Sequence, residues 1–293
     1  MNKPYAEVIG DPIAHSKSPL IHNFWLGKLG IDAEYRACHV RLEELADYLA
    51  RRRDDAAWRG CNVTIPHKMA ALNYLDDAHL DGLAATNTVV PTGGRLVGWN
   101  TDVSGILEPM SRFPFSESLH IDESSSAHTS VAQIIGAGGA AEAAIAAVFA
   151  ADYLHVEIFN RNIERAKETA ARHCISRKNG LALKDVGPVS VRPNHPLSGY
   201  YAHYLVINAS PMGMVGYPEL EIDLSAYPGD TIVFDMVYAP LQTSLLLQAA
   251  ALGLQTIDGL EMLVGQAAVA FEKFFSQPAP REHDAELRAL LTS

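Results

Sequence analysis

Extended and helical segments alternate along most of this 293-residue chain. Segments rich in β-branched and aromatic residues predict strands, and apolar residues at helical spacing predict helices between most of them. The predicted strands are 5–10, 33–40, 59–65, 131–136, 153–160, 204–209, 231–238 and 254–257, and the helices include 20–30, 41–53, 139–151, 162–173 and 241–252. This alternation is typical of an α/β fold with mainly parallel sheet, and the length favours two lobes.

Residues 85–100 interrupt the alternation and predict a β-hairpin. ATNTVV (85–90) and RLVGWN (95–100) have the pattern of strands, and PTGG (91–94) between them has the composition of a turn. If the turn is symmetric, Asn87 lies roughly opposite Gly98. Asn87, Asn100 and Asp102 then converge at one end of the hairpin.

Two stretches lack clear periodicity. Residues 110–130 are rich in Ser and small polar residues and indicate a linker or surface insertion. Residues 176–203 contain several Gly and Pro residues, too many for one long helix. We expect a short strand near 189–192 inside this second stretch.

Charge and hydropathy exclude some classes of partner. The formal net charge is −11, and the basic run 51–53 is interpreted as a solvated helix face, so binding to nucleic acid or to an anionic membrane is not expected. The longest wholly apolar run, 143–151, is far shorter than the roughly 20 residues that span a bilayer. The first residues lead directly into a predicted strand, with no pattern of an export signal.

The cysteines and histidines show no metal-site spacing. Cys38, Cys61 and Cys174 are an odd number without a CxxC pair, which predicts reduced thiols and a cytoplasmic location. His15, His22 and His67 lie in separate segments without HxxxH or HExxH spacing. No metal site is therefore predicted.

A glycine-rich turn follows the predicted strand at 131–136. It reads Gly136, Ala137, Gly138, Gly139, Ala140, Ala141 and opens an alanine-rich helix, which matches G-x-G-x-x-G/A between strand and helix. Glycines let the backbone approach a diphosphate, and the helix N-terminus stabilises its charge. A dinucleotide is the natural ligand; the alternative is that the small residues serve only close packing of helix against strand.

The next strand indicates which dinucleotide is preferred. It ends at Asn160 and Arg161, where a site for NAD usually has an acidic residue for the ribose hydroxyl. Arg161, with Arg165 four residues later, can pair with a 2′-phosphate, which favours NADP(H). The alternative is that both are ordinary exposed arginines. Glu142, in the first helical turn, is expected to weaken the positive field there.

Polar residues also follow two strands of the N-terminal half. In an extended loop, Ser16 and Ser18 project their hydroxyls to one side, which suits a polyhydroxy acid; alternatively, they cap the helix that follows. The segment 62–68 ends a strand and is expected to start a helix, so Lys68 lies at the carboxyl end of the strand, where α/β sheets bind ligands. By itself, a lysine there is usually a solvated residue.

Nine ordered blocks resemble the shikimate dehydrogenase family across nearly the whole chain. They are GDPIAHSKSPLIHN (10–23), NVTIPHK (62–68), ATNT (85–88), GWNTD (98–102), GAGGAA (136–141), NR…RA (160–166), NASPMGM (208–214), DMVYAPLQT (235–243) and DGLEMLVGQAA (258–268). The resemblance implies a substrate-binding domain of residues 1–104 plus 259–293 and a Rossmann-like NADP-binding domain of residues 105–258. Many members have Arg where this chain has Glu142.

The resemblance also implies roles for individual residues. Lys68 and Asp102 would flank the reacting oxygen as the catalytic pair. The substrate carboxylate would be held by Ser16 and Ser18, and its ring would be contacted by Thr64, Asn87, Gln266 and Tyr238. The implied cofactor contacts are Gly136, Ala137, Gly138, Gly139, Ala140, Asn160, Arg161, Asn162, Arg165, Met236 and Gly259.

The activity implied by the resemblance is the reversible, NADPH-dependent reduction of 3-dehydroshikimate to shikimate in aromatic amino-acid biosynthesis. Lys68 would act as general acid and base, with Asp102 orienting it. One alternative is a quinate/shikimate dehydrogenase with broader use of substrates and of NAD or NADP, and another is a noncatalytic NADP-binding sensor. Monomer and homodimer both stay open.

Overall fold

The structure is a computed structural model that describes residues 3–80, 82–113, 130–153, 155–178, 189–192 and 203–293, with only the backbone at 174–178 and 189–192. The chain forms two compact units. Unit 1 is Met1–Gly105 with Leu263–Ser293, and unit 2 is Ile106–Met262.

The elements follow the predicted alternation. In chain order they are β1 (Tyr5–Gly10), α1 (Ser18–Leu29), β2 (Glu34–His39), α2 (Leu45–Arg53), β3 (Trp58–Val63), β4 (Asp77–His79), β5 (Thr88–Thr92), β6 (Arg95–Trp99), α3 (Asp102–Met110), β7 (Ser130–Ile135), α4 (Gly139–Ala150), β8 (His155–Phe159), α5 (Ile163–Lys178), β9 (Val189–Arg192), β10 (His203–Asn208), β11 (Ile232–Asp235), α6 (Ser244–Ala251), β12 (Gln255–Ile257), α7 (Gly259–Phe275) and α8 (Asp284–Thr292). The short strand expected near 189–192 is confirmed as β9.

The sheet of unit 1 is mixed, with strand order β2-β1-β3-β5-β6-β4. Strand β1 pairs in parallel with β2 and β3, and β4 pairs in parallel with β6, whereas β5 is antiparallel to both of its neighbours. The carboxyl ends of β1, β3 and β6 therefore meet the amino end of β5 at one edge. The segments that follow or precede these ends carry Ser16, Ser18, Thr64, Lys68, Asn87 and Asp102.

The hairpin forms, but its predicted turn and register are wrong. The strands extend through Pro91 and Thr92, and the turn consists of Gly93 and Gly94, both with positive φ, as a two-residue hairpin turn requires. Val89, not Asn87, is opposite Gly98. Pro91 is tolerated because the pairing of β3 with β5 covers only Thr88 and Val89, so no partner on that side needs an N–H from Pro91.

Two local predictions in unit 1 also need correction. The helix expected to start at Lys68 is a 3₁₀ helix that begins at Ala70, so Lys68 lies in the preceding turn. Strand β4 was not predicted, because its three residues are all exposed and show no apolar alternation.

The basic run 51–53 is not simply a solvated face. Arg52 bonds the carboxylate of Glu7, which is 1% exposed on β1, and Arg36 on β2 and the Tyr48 hydroxyl complete the set of donors. Because a buried charge is costly unless it is paired, these contacts stabilise Glu7 inside the sheet. Arg53 forms an ion pair with Asp76.

The sheet of unit 2 is wholly parallel, with strand order β12-β11-β10-β7-β8-β9. The carboxyl ends of β7, β8 and β11 lead to the glycine-rich turn, to Asn160 and to Met236. Most of the Ser-rich stretch, 114–129, lies outside the described residues. In the described part of the chain, every helix is too short or too polar to cross a bilayer.

Candidate active site

Lys68 and Asp102 form an ion pair in unit 1. Lys68 Nζ lies 2.5 Å from Asp102 Oδ2, and the side chains are 20% and 6% exposed. The Lys68 carbonyl accepts from the Thr86 N–H at 2.9 Å, which ties the turn after β3 to the start of the hairpin. The Asp102 N–H donates to Asn100 Oδ1 at the start of α3. The pair thus presents an ammonium group with its counter-ion at a half-buried position.

Asn87 connects this pair to the rest of the edge. Its Nδ2 donates to Asp102 Oδ1 at 2.8 Å and to Thr101 Oγ1 at 2.9 Å. Its Oδ1 accepts from the Thr101 backbone N–H at 2.7 Å. Because an N–H can only donate, this last bond fixes the orientation of the amide and directs its NH₂ group at Asp102. The expected convergence of Asn87, Asn100 and Asp102 is confirmed.

Gln266 reaches the same cluster from α7. Its Oε1 lies 3.4 Å from Asn87 Nδ2 and 3.3 Å from Thr101 Oγ1, and its Nε2 donates to the Leu263 carbonyl. A residue 179 positions from Asn87 is therefore brought beside it. Thr101 was not predicted as a site residue; it is 1% exposed, and its hydroxyl lies 3.3 Å from Gln266 Oε1.

The loop that carries Ser16 and Ser18 follows β1 at the same edge of the sheet. Among the described residues, neither serine forms a hydrogen bond to Lys68, Asp102 or Asn87. Lys17, not a serine, is the N-cap residue of α1, so capping by Ser18 is wrong; Ser16 Oγ accepts from the Ser18 N–H at 3.3 Å. The Lys17 ammonium binds the Leu291 carbonyl in the last turn of α8. A Cβ at Gly10 would lie 2.6 Å from Thr64 Cγ2, so the segments after β1 and β3 are packed together.

An aromatic side chain flanks the cluster at the end of β6. Lys273 Nζ on α7 lies 3.4 Å from the centroid of the Trp99 ring, and burial lowers the pKa of this lysine. The His79 ring lies 4.3 Å from Trp99, between ring centroids. This stack holds the edge strand β4 and helix α7 against the strand that leads to Asp102.

In unit 2, the glycine-rich turn has the shape of an anion site. Gly136 has φ 124°, and a Cβ there would lie 2.9 Å from the Ala209 carbonyl oxygen, so the backbone needs glycine. Gly138 is the N-cap residue of α4 and has no side chain to occupy the first helical N–H groups of Gly139 and Ala140. An uncapped helix N-terminus in a glycine cradle fits a diphosphate.

The residues after β8 lie against this turn. Arg165 Nε donates to the Ala137 carbonyl at 2.9 Å, and Asn162 Oδ1 accepts from the Arg165 N–H at the start of α5. Asn160 Nδ2 donates to the Asn162 carbonyl. Arg161 is exposed. The structure thus places a guanidinium group beside the glycine-rich turn, as recognition of an additional phosphate requires.

Gly259 and Met236, which were also predicted to contact the cofactor, are packed against each other. A Cβ at Gly259 would lie 2.4 Å from the Met236 carbonyl oxygen, so the start of α7 packs directly on the backbone after β11. The Met236 N–H donates to the Asn208 carbonyl. Tyr238 follows two residues later in unit 2, where burial raises the pKa of its hydroxyl.

Glu142 does not present a free charge to the helix N-terminus. Its side chain is 3% exposed and forms an ion pair with Arg172 on α5, which also bonds Thr169. The guanidinium group offsets the negative charge that was expected to weaken the field at the start of α4. Among the described residues, no group of three His, Cys, Asp or Glu side chains is arranged to hold a metal ion.

Comparisons with known proteins identify the family of this chain. Residues 8–89 match the shikimate dehydrogenase substrate binding domain, and residues 259–286 match the shikimate 5′-dehydrogenase C-terminal domain. The shikimate dehydrogenase (NADP(+)) of Sphingopyxis alaskensis is 45% identical, over 99% of this chain and 97% of that protein.

Two solved structures have the same fold. One is shikimate 5-dehydrogenase from Thermus thermophilus in complex with NADP(H) and shikimate, with TM-score 0.78, 30% identity, and coverage of 98% of this chain and 99% of that one. The other is the ligand-free 5-ketofructose reductase of Gluconobacter, with TM-score 0.81, 26% identity and coverage of 99% of each chain. The chain belongs to the shikimate dehydrogenase family.

Proposed function

We propose that this protein is an NADP-dependent shikimate dehydrogenase that interconverts 3-dehydroshikimate and shikimate. The observation that carries the proposal is the Lys68 and Asp102 pair, joined to Asn87 and Gln266 at one edge of the sheet in unit 1. Residues 1–104 with 259–293 would bind the substrate, and residues 105–258 would bind NADP(H). The free thiols of Cys38 and Cys61 support a cytoplasmic location.

In the direction of reduction, bound NADPH would supply a hydride to the C3 carbonyl of the substrate. Negative charge then grows on the carbonyl oxygen. The Lys68 ammonium stabilises this charge and donates the proton that completes the alcohol. Asp102 orients the ammonium through Oδ2 and keeps its second oxygen bonded to Asn87. In the reverse direction, neutral Lys68 accepts the proton.

The remaining polar residues of unit 1 would position the substrate. Ser16 and Ser18 would hold the carboxylate, and Thr64, Asn87 and Gln266 would contact the ring hydroxyls. The amide of Gln266 and the hydroxyl of Thr64 offer both donors and acceptors, as hydroxyl groups require. Positioning of this kind removes much of the entropic barrier of the reaction.

The residues of unit 2 fit NADP(H). The N–H groups at the start of α4 would bind the diphosphate, because the N-cap residue Gly138 has no side chain in front of them. Arg161 and Arg165 would bind the 2′-phosphate, since charge-assisted bonds to guanidinium are strong and directional. Asn160, Asn162, Met236 and Gly259 would line the same site with their backbone or short polar groups.

The test is direct. Purified protein is mixed with shikimate and either NADP or NAD, and the absorbance of the reduced nicotinamide is followed. We expect rapid reduction of NADP and slower reduction of NAD. Absence of a signal with both cofactors contradicts the proposal, and in that case measured NADPH binding would favour the noncatalytic sensor. A parallel assay with quinate separates the strict enzyme from the broader quinate/shikimate dehydrogenase.

A further inference from the structure

A chain of buried hydrogen bonds runs from Tyr35, on β2, to Asp102. The Tyr35 hydroxyl donates to Asn62 Oδ1 at 2.6 Å, and Asn62 Nδ2 donates to Thr88 Oγ1 at 3.1 Å. The Thr88 hydroxyl donates to Asn87 Oδ1 at 3.0 Å, and Asn87 Nδ2 donates to Asp102 Oδ1 at 2.8 Å. We call these five residues the Tyr35 relay. All five are at most 6% exposed.

The direction of the Tyr35 relay is fixed by groups that have only one role. Asn62 Nδ2 also lies 3.3 Å from the Asn87 backbone carbonyl, which can only accept, so Asn62 Oδ1 must face Tyr35. At the other end, the Thr101 N–H can only donate and fixes Asn87 Oδ1. Every bond of the relay therefore points toward the Asp102 carboxylate, and bonds aligned in this way polarise one another.

The first member of the relay is held as a donor. The Tyr35 ring stacks on His22 with a centroid separation of 4.0 Å and an interplanar angle of 4°. Burial raises the pKa of the Tyr35 hydroxyl well above its usual range and lowers the pKa of His22 to about 3, so the hydroxyl stays protonated and the imidazole stays neutral. The ring of Tyr35 is held by His22, and its hydroxyl is the group that donates to Asn62 in the relay.

We propose that Tyr35 is a positioning residue for the reaction, acting through Asn62, Thr88 and Asn87 on the Asp102 carboxylate that orients Lys68. Tyr35 touches neither of the two catalytic candidates; its hydroxyl donates to Asn62 Oδ1 and so supports the amide whose Nδ2 bonds Thr88 and the Asn87 carbonyl. The inference rests on the proposed function of Lys68 and Asp102. Tyr35 would thus influence the alignment of Lys68 and Asp102 from β2, which is separated from β3 by β1 in the sheet.

The substitution that tests this is Tyr35→Phe, which removes one oxygen and keeps the ring on His22. Asn62 Oδ1 then loses its buried donor, and the amide is held only by its Nδ2 contacts to Thr88 Oγ1 and to the Asn87 carbonyl. The loss is equivalent to about one hydrogen bond, so kcat for shikimate oxidation falls about fivefold. The KM for NADP stays unchanged, because the relay lies wholly in unit 1.

Tyr48→Phe is the matched control. Tyr48 is 3% exposed, lies in the same unit, and also donates one hydroxyl hydrogen bond, but to Glu7 rather than toward Asp102. A general loss of stability affects both variants, whereas a loss of alignment affects only Tyr35→Phe. Equal kcat values in the two variants, or a wild-type kcat in Tyr35→Phe, overturn the proposal.

A second variant tests whether the residues act as one chain. Thr88→Val interrupts the relay at its middle with little change of shape and is expected to lower kcat by a similar factor of about five. In the double variant, the loss of kcat stays near about fivefold instead of multiplying to about 25-fold, because the relay is already broken. Multiplicative losses contradict a single relay. Thr88→Val also supplies the test if Tyr35→Phe does not fold.

A readout without substrate separates this proposal from the proposed function. In ¹⁵N-labelled protein, Tyr35→Phe is expected to shift the NMR signals of the Asn87 side-chain amide and the Thr101 backbone amide, and Tyr48→Phe is expected to leave them in place. If wild-type protein does not oxidise shikimate, the proposed function fails while these signals still decide the relay. If the wild type is active and the signals do not move, only the relay fails.

Discussion

The carboxyl edges of the two sheets differ in which part of the polypeptide forms the site. In unit 1, the proposed site consists of side chains that are held by hydrogen bonds to one another, as Asn87 is by Thr101 and Asp102. In unit 2, the proposed site is mainly the backbone of the glycine-rich turn, and an added Cβ at Gly136 or Gly259 would lie 2.9 Å or 2.4 Å from a neighbouring carbonyl oxygen.

This difference follows from the ligands that each edge is proposed to bind. A ring with several hydroxyls needs donors and acceptors at fixed points, which only oriented side chains supply. A diphosphate needs close approach to N–H groups and a positive helix end, which glycine-rich backbone supplies. Unit 1 should therefore be sensitive to removing side-chain atoms, and unit 2 to adding them.

The largest effect is expected from Lys68→Ala in unit 1. Loss of the proton donor lowers kcat by about 10³-fold, while the KM for shikimate changes far less, because the other polar contacts to the substrate remain. Steady-state kinetics in both directions measure the change. Lys28→Ala is the control, since Lys28 also has an ion-pair partner, Glu286, but lies away from this edge. An unchanged kcat in Lys68→Ala would remove its assigned role.

The matching addition in unit 2 is Gly136→Ala. The new Cβ would meet the Ala209 carbonyl at 2.9 Å in a backbone with φ 124°, a strain of about 1–3 kcal/mol. We expect the KM for NADP to rise about 30-fold and the KM for shikimate to stay near wild type. Gly229→Ala, which has no atom within 4 Å of the new Cβ, is the control. If Gly136→Ala binds NADP normally, the glycine-rich turn does not form the NADP site.

A smaller effect is expected where unit 2 does use a side chain. Arg161→Ala removes one charge-assisted contact to the 2′-phosphate, so kcat/KM with NADP falls about tenfold and kcat/KM with NAD hardly changes. The two cofactors provide the internal comparison in one protein sample. Equal losses with both would show that Arg161 does not distinguish them.

The smallest effect is expected from Glu142→Gln. Removing this charge from the start of α4 leaves Arg172 in place, and the affinity for NADP rises about two- to threefold at low ionic strength. High salt should abolish the gain. Glu164→Gln, in the first turn of α5, is the control. No change in Glu142→Gln would mean that the charges of this ion pair do not influence the cofactor site.

Much of the fold could be predicted because its signals are local. Strand and helix periodicity predicted most elements to within a few residues, including β9 inside a stretch rich in Gly and Pro. The errors arose where the bounds of a strand depend on its pairing with another strand and not on its own sequence. The hairpin register depends on Gly93 and Gly94 forming the whole turn, and β4 is defined only by its partner β6.

The position of the candidate site in the sheet could be predicted from the sequence, but the hydrogen bonds that join its side chains could not. Carboxyl ends of strands indicated where Lys68 and Asp102 lie, and the family blocks indicated their roles. Asn62, Thr88 and Tyr35 were not singled out, because their importance depends on amide orientation in three dimensions. The signal that could have identified Asn62 and Thr88 is a polar residue at a buried position of a central strand.

The Trp99 stack gives the protein an intrinsic optical probe. Two of its three tryptophans, Trp25 and Trp58, are at most 1% exposed, whereas Trp99 is half-buried under the Lys273 ammonium. A cation over an indole ring perturbs its emission, and Trp99 lies three residues before Asp102. Fluorescence changes upon addition of substrate would therefore originate from the end of β6, and Trp99→Phe would abolish them while leaving the two buried emitters as a constant background.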